Sequence, residues 1–315
     1  MNIKVFLFHR INPHIDPVWP PITPAHFDKI LTHLKKHFEI VPLEQTILGN
    51  YKPSTSKKLC AITFDDGYKD FVEYALPLIK KHNISASMYV ITDCVDSNLP
   101  PWTFVFNHLL LNTKLSSLEI NSTKIPHNIR KIKWKTLREK VAYINYLSHV
   151  LKRISDEERE NVMQQIRNQI KDVESPNGLM MSWDDIRYIK NEGIEIGSHS
   201  ANHPILSKDL HLDDVRYELK RSGEEIQKEL GKFPLAISYP FGIYNNEAKR
   251  IAEEVGYKMG LTVFPKEYST DKDQFEIPRI ELYNEPFFKS WIRINGQLQT
   301  LKNFFYQGKS LNNNA

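Results

Sequence analysis

A chain of 315 residues with 41% hydrophobic content can fill one large barrel or two small domains with an ordinary buried core. Its 42 lysines and arginines face 38 aspartates and glutamates, a net charge of +4, and the two signs alternate along helical stretches, which argues against a nucleic-acid partner. No run approaches the ~20 apolar residues of a membrane span; residues 1–10 are too short for a signal-peptide core, and Cys60 and Cys94 cannot frame a disulfide fold, so reduced thiols and a cytoplasmic location are expected.

The first strand is read at Val5–Phe8, ending in His9-Arg10, and a loop follows through Pro13, Pro17, Pro20, Pro21 and Pro24. Thr23 caps a helix to Phe38, whose Phe27, Ile30, Leu31 and Leu34 recur at three and four residues and so share one buried face. A short strand is predicted at Glu39–Pro42. Leu59–Phe64 is an apolar run of strand length with Asp65-Asp66-Gly67 at its C-terminal end. A helix over Tyr68–His82 and a strand over Ile84–Ile91 complete a β-α-β unit, hence a parallel α/β architecture.

The pattern changes between about residues 98 and 178, where two charged helical stretches, Lys131–Lys152 and Asp156–Lys171, read as a helical insertion that either covers one end of the fold or shapes substrate access. The α/β rhythm resumes with a helix start at Ser182-Trp183-Asp184-Asp185 and strand Ile194–Ile196, followed by the loop 197–204. Helix Asp213–Leu230, strand Leu235–Ser238, helix Asn245–Val255 and strand Lys258–Thr262 continue it. A closing helix is predicted over Phe287–Tyr306, with 307–315 a disordered tail. In barrels and open doubly wound sheets alike, ligands meet the C-terminal ends of strands, where this sequence places His9, Asp65-Asp66, His199 and residues 239–242.

His199 and His203 lie four residues apart after a strand and a glycine, a spacing that can bring two imidazoles to one metal at ~2.0–2.1 Å, although surface or capping histidines share it. Asp65-Asp66 strengthens the metal reading, because adjacent carboxylates at the end of an apolar strand repel unless a cation or proton neutralises them. Successive side chains diverge, so one carboxylate can bind a metal while its neighbour faces the substrate. Asp66, His199 and His203 would leave coordination positions open, as a catalytic site requires. A calcium loop fits poorly, since Gly67-Tyr68-Lys69-Asp70 lacks alternating oxygen ligands.

Thr63-Phe64-Asp65-Asp66-Gly67 and His199-Ser200-Ala201-Asn202-His203, in this order and strand context, resemble two motifs of the polysaccharide deacetylases of the NodB type, carbohydrate esterase family four. The resemblance covers roughly residues 59–95 and 181–262. It implies a distorted (β/α) barrel, here a single domain over 1–306 carrying the insertion. It also implies hydrolysis of N- or O-acetyl groups on glycans with a divalent metal, most often zinc, with cobalt, nickel or manganese as alternatives. Asp65 would be the general base and Asp66, His199 and His203 the metal ligands. Ser238 to Gly242 resembles a third motif, in which the Phe241 backbone N–H would supply the oxyanion hole.

Two departures stand out. Ser238 occupies a position where relatives often carry an arginine that tunes the base, and Arg279 is the candidate substitute. No histidine follows His211, so His9 becomes the candidate acid for the leaving amine, as in a permuted subset of the family. Trp102, Tyr239, Phe241 and Tyr244 are candidates for stacking on sugar. The expected substrate is an N-acylated glycan or a lipid- or nucleotide-linked sugar. The competing readings are a glycan-binding protein without turnover and an unrelated metal amidohydrolase.

Overall fold

The computed structural model describes residues 1–97, 99–206 and 210–296. The N-terminal half of the barrel comprises β1 (Asn2–Phe8), α1 (Pro24–His37), β2 (Phe38–Ile40), α2 (Leu43–Ile47), β3 (Lys58–Phe64), α3 (Leu76–His82) and β4 (Ser87–Val90). The Thr23 hydroxyl accepts the His26 N–H at 3.2 Å, so α1 begins where its cap and Pro24 place it.

Residues 102–169 form α4 (Trp102–Asn112), β5 (Ser117–Glu119), α5 (His127–Arg130), β6 (Lys131–Lys133), α6 (Leu137–Leu151) and α7 (Asp156–Gln169). They enclose their own apolar cluster, including Phe106, Leu110, Ile144, Leu147, Met163 and Ile166. The barrel resumes with α8 (Trp183–Asn191), β7 (Glu195–Ser198), α9 (Leu212–Leu230), β8 (Ala236–Ser238), α10 (Asn246–Val255), β9 (Met259–Leu261), β10 (Tyr268–Ser269), β11 (Ile280–Glu281) and α11 (Phe287–Asn295).

Parallel pairing runs in the order β1-β3-β4-β7-β8-β9, as expected of a β-α-β chain. The segment after β10 then closes the ring: Ile277 bridges Leu261 at one edge, and Ile280 and Glu281 pair with Phe6 and Leu7 at the other. The result is the distorted barrel. Its strands alternate with period two. Ile3, Val5, Leu59, Ala61, Tyr89, Ala236, Met259 and Ile277 pack into one cluster, the barrel interior. Phe6, Phe8, Ile62, Phe64, Met88 and Val90 instead pack against residues of α1 and α8.

Several expected elements are corrected. Tyr68–His82 is not one helix: Phe71–Ala75 is a π-helical turn leading into α3. Pro77 has no N–H to return to Glu73, so the regular ladder is interrupted there. Lys131–Lys152 is not one helix either, because Lys131–Lys133 pairs antiparallel with Ser117–Glu119. Helix α6 starts only at Leu137, where Thr136 and Glu139 form a reciprocal capping box. The closing helix ends at Asn295, with Gly296 in the left-handed conformation (φ 75°) as its C-cap; the expected continuation from 297 and the tail at 307–315 lie outside the described residues. Among the described residues no helix is long and apolar enough to cross a membrane.

Candidate functional site

Strand parity decides which side chains meet at the top of the barrel. Leu59, Ala61 and Thr63 point inward along β3, so Asp65 continues that row, and its N–H is anchored by the Phe8 carbonyl at 3.1 Å. Asp66 then turns with φ 75° and leaves the row, followed by Gly67 at φ 87°. The two carboxylates therefore diverge, as the sequence anticipates. By the same parity His9 follows Val5 at the end of β1, Ser238 follows Ala236 and Arg279 follows Ile277.

Arg279 is fully buried. It donates to both oxygens of Asp65, Nη1 to Oδ1 at 2.8 Å and Nη2 to Oδ2 at 2.7 Å. Nη2 also donates to the Ser238 hydroxyl at 2.7 Å, and that hydroxyl donates to Asp65 Oδ2 at 3.0 Å. Burial alone would raise the Asp65 carboxyl, but the charges of Arg279 and then His199 outweigh it and hold the group well below the usual carboxylate range. Arg279 thus sits behind Asp65, without access to the cleft, at the place the departure at Ser238 left open.

His199 and His203 face Asp66. Their Nε2 atoms are 3.1 Å apart, and Asp66 Oδ1 lies 3.4 Å from His199 Nε2 and 3.8 Å from His203 Nε2. A tetrahedral ion with bonds of ~2.0–2.1 Å has ligand-to-ligand edges of about 3.3 Å, so these three donors can hold one metal ion. The tautomer of His199 agrees. His199 Nδ1 lies 2.7 Å from the Ser238 carbonyl and must donate to it, which leaves Nε2 as the nitrogen that could bind an ion. Burial first, and then the neighbouring His199, push His203 down to about 3, the neutral form a ligand needs. Two facing ring nitrogens at this separation are tolerable only with a proton or cation between them.

The local backbone is strained where it matters. Among the described residues six non-glycine positions have positive φ, and four of them are Asp66 (75°), Ser200 (65°), His203 (58°) and Phe241 (58°). Each costs of order 1–3 kcal/mol, a cost typical of sites that over-determine their geometry. The Ser200 hydroxyl holds the loop by accepting the His203 N–H at 3.0 Å.

The site opens into a cleft of about 430 Å³. His9, Asp65, Asp66, His199, His203 and Phe241 form its floor, and Glu281 flanks His9 Nδ1 at 3.6 Å. Trp19 from the proline-rich loop stands against His9, with ring centroids 5.4 Å apart. The opposite wall comes from α4 and α6 of the insertion. Of the aromatic residues singled out in the sequence, Phe241 reaches the cleft and packs its ring against His203, centroids 4.5 Å apart.

Tyr239 does not reach the cleft, contrary to its assignment as a substrate contact. Ala236 and Ser238 point inward, so Ile237 and Tyr239 point outward into the cluster with Leu219 and Ile251, where Tyr239 stacks on Tyr244 at 4.7 Å. The alternation was visible in the sequence and could have placed it there. Trp102 lies behind Phe241, centroids 6.4 Å apart. Trp19, Glu281, Asn107 and Lys152 line the cleft although no motif pointed to them.

A family model described as polysaccharide deacetylase matches residues 52–260. The chain is 21% identical over 243 residues to the putative polysaccharide deacetylase YxkH of Bacillus subtilis, covering 77% of this chain and 58% of that protein, less than two thirds of its length. It is 23% identical over 274 residues to the poly-beta-1,6-N-acetyl-D-glucosamine N-deacetylase of Staphylococcus epidermidis, covering 86% of this chain and 72% of that one. In three dimensions it is similar to the Streptococcus pyogenes deacetylase PplD in complex with acetate, with a TM-score of 0.60 at 19% identity over 90% of this chain and 94% of the other. It is also similar to a de-N-acetylase from Aggregatibacter actinomycetemcomitans, with a TM-score of 0.59 at 15% identity over 91% and 97%. At these identities the structural likenesses speak for the fold. The family model covers well over half of the sequence, and this chain therefore belongs to the polysaccharide deacetylase family.

Proposed function

We propose that this protein is a metal-dependent hydrolase that removes N-acetyl groups from amino sugars of a glycan or a glycan precursor. The observation that carries the reading is the buried Arg279–Asp65 pair set beside the Asp66, His199 and His203 triad at the floor of an open cleft. An ionised carboxylate adjoining three convergent metal donors is the arrangement that hydrolytic water activation requires. A divalent ion held by the triad, zinc by the ligand types, would supply Lewis acidity that lowers the pKa of water and polarises an acyl carbonyl.

The chain's own residues do the rest. Asp65, kept ionised by Arg279, accepts the proton of the attacking water. Its Oδ2 is 3.8 Å from His199 Nε2, so base and triad serve one reacting centre. The Phe241 N–H, on the strained turn beside His203, is assigned to the developing oxyanion. His9, one fifth exposed at the cleft floor and flanked by Glu281, is assigned to protonate the leaving nitrogen. Arg279 behind Asp65 and His9 in the cleft support this reading over a non-catalytic glycan binder. The Staphylococcus epidermidis relative's name adds N-acetylglucosamine as the first sugar to test. The test is acetate release from N-acetylglucosamine oligosaccharides with zinc or cobalt: turnover lost in Asp65→Asn is expected, and its retention there would overturn the assignment.

A further inference from the structure

Helix α6 turns two different faces inward. Ile144, Leu147 and Leu151 fill the insertion's own core. Asn145, Ser148, His149 and Lys152, spaced three, four and seven residues from the first, form a polar stripe that lines the cleft over the Asp66 triad. A helix's polar face ordinarily meets bulk water, but this one is turned onto the reaction centre. Across from it on α4, Asn107 also lines the cleft, and its Oδ1 is buried without a hydrogen-bond partner. A buried acceptor left unpaired costs stability unless something arrives to satisfy it.

Lys152 is the informative member of the stripe. Its ammonium lies 4.8 Å over the Phe241 ring, which in turn lies 4.5 Å from the His203 ring. It is half-buried, and burial lowers its proton affinity; Glu281 and Asp66 oppose that only through space, without a hydrogen bond. Both carboxylates are already committed. Asp66 belongs to the triad, and Glu281 accepts the Tyr283 hydroxyl at 2.6 Å and flanks His9. Among the described residues the ammonium therefore has no ion-pair partner within 4 Å, a costly arrangement unless the cleft's occupant brings a negative charge.

We propose that the insertion's Asn145, Ser148, His149 and Lys152 form a second substrate subsite, in which Lys152 pairs with an anionic substituent, a phosphate ester or a carboxylate, carried by the sugar being deacylated. This rests on the deacetylase reading for its reaction and narrows its substrate class to acidic amino-sugar derivatives. Asn107 and the polar stripe hydrogen-bond sugar hydroxyls, and Lys152 reads the charge.

The test compares kcat/KM for acetate release by the zinc-loaded full chain from N-acetylglucosamine 1-phosphate, N-acetylmuramic acid and the neutral methyl glycoside of N-acetylglucosamine. A charge-assisted contact predicts that at least one anionic substrate exceeds the neutral one by about tenfold or more. Lys152→Met should remove that advantage, mainly through KM, and leave the neutral substrate within about twofold, while Lys152→Arg should keep most of it. The substrate whose advantage depends on Lys152 identifies phosphate or carboxylate as the group read. No anionic preference in the wild type, or equal losses on all substrates in Lys152→Met, would overturn the proposal. If the wild type releases acetate from none of them, the hydrolase reading fails separately. Calorimetric binding of the two anionic sugars to Asp65→Asn and to Asp65→Asn/Lys152→Met then decides the subsite alone: weaker binding of either sugar to the second protein supports it, and equal affinity for both overturns it. Lys152→Gln serves in place of methionine if that variant fails to fold.

Discussion

Replacing Arg279 with methionine removes both nitrogens that hold Asp65, together with the donors to Ser238 and to the Thr262 carbonyl (Nε, 3.2 Å). Both partners of the pair are buried, so the carboxylate left behind is uncompensated in a low-dielectric site, a change that costs about 3–5 kcal/mol. Against a total stability of about 5–15 kcal/mol, such a loss is measurable by urea unfolding at pH 7. The pH dependence has a definite sign. In the wild type the Asp65 pKa is depressed, so its contribution is present above the unfolded value near 3.8 and is lost only as pH falls through the folded one. In Arg279→Met the largest charge opposing desolvation is gone, His199 and His9 oppose it less, and the carboxyl rises above its wild-type position. Its folded form then takes up a proton at higher pH than the wild type does, and the stability gap to wild type narrows as pH falls through that range. Residual activity should show its acid limb at higher pH. The double variant Asp65→Asn/Arg279→Met should be more stable than the two single losses added together, because it removes both charges. A single variant within about 1 kcal/mol of wild type at pH 7, or strictly additive losses, would refute the assignment of Arg279 to the base.

Metal content by elemental analysis should separate the two aspartate roles: His203→Ala loses metal and activity, while Asp65→Asn retains metal and loses activity, and equal metal loss in both contradicts the division. For His9→Gln, a role as acid predicts a fall of about 10²–10⁴ in amide hydrolysis, with little change on 4-nitrophenyl acetate, whose leaving group departs without a proton; a parallel fall on both substrates assigns His9 to positioning instead. Gly242→Ala should cost well over the 1–2 kcal/mol of a left-handed alanine, because at φ 68° its Cβ would lie 2.4 Å from the Val263 nitrogen. Gly49→Ala, at φ 75° with open space around it, is the control for strain alone, and thermal unfolding of the two should differ.

The convergence of Asp65, Asp66, His199 and His203 was legible because each pair is local in sequence. Asp65 and Asp66 sit at the end of an apolar strand, and His199 and His203 sit four residues apart after another, so strand context alone brings them to one end of a parallel sheet. Tyr239 was misplaced because its motif was read as a unit; the parity that puts Ser238 inside the barrel puts Tyr239 outside it. The strand at Lys131–Lys133 was hidden by charge. Its alternation spans three residues, too few to outweigh a helical pattern of charges continuing to Lys152, and only the cap at Thr136 marks the true start. Lys152 and Asn107 carried no signal at all, since their importance depends on how the insertion docks over the barrel, a long-range packing event that no local period encodes.

Arg279 shows how closure of the fold and ionisation of Asp65 are one event. The residue lies between Ile277, which bridges to Leu261 at one edge of the barrel, and Ile280, which pairs with Phe6 at the other. Those contacts join the last strand to the first, so the guanidinium reaches Asp65 only when the ring is complete. A barrel left open at this seam would keep Asp66, His199 and His203 together, since all three lie in the loops after β3 and β7, yet it would leave Asp65 without its counter-charge. An arginine on β8, at the position Ser238 occupies, would reach the base independently of that seam. In this chain the Ser238 hydroxyl instead bridges Arg279 and Asp65, so three elements far apart in sequence must assemble before the carboxylate is held ionised. Weakening the seam by substituting Ile280 should therefore lower activity more than metal affinity, because the ligands stay together while the base loses the charge that fixes it.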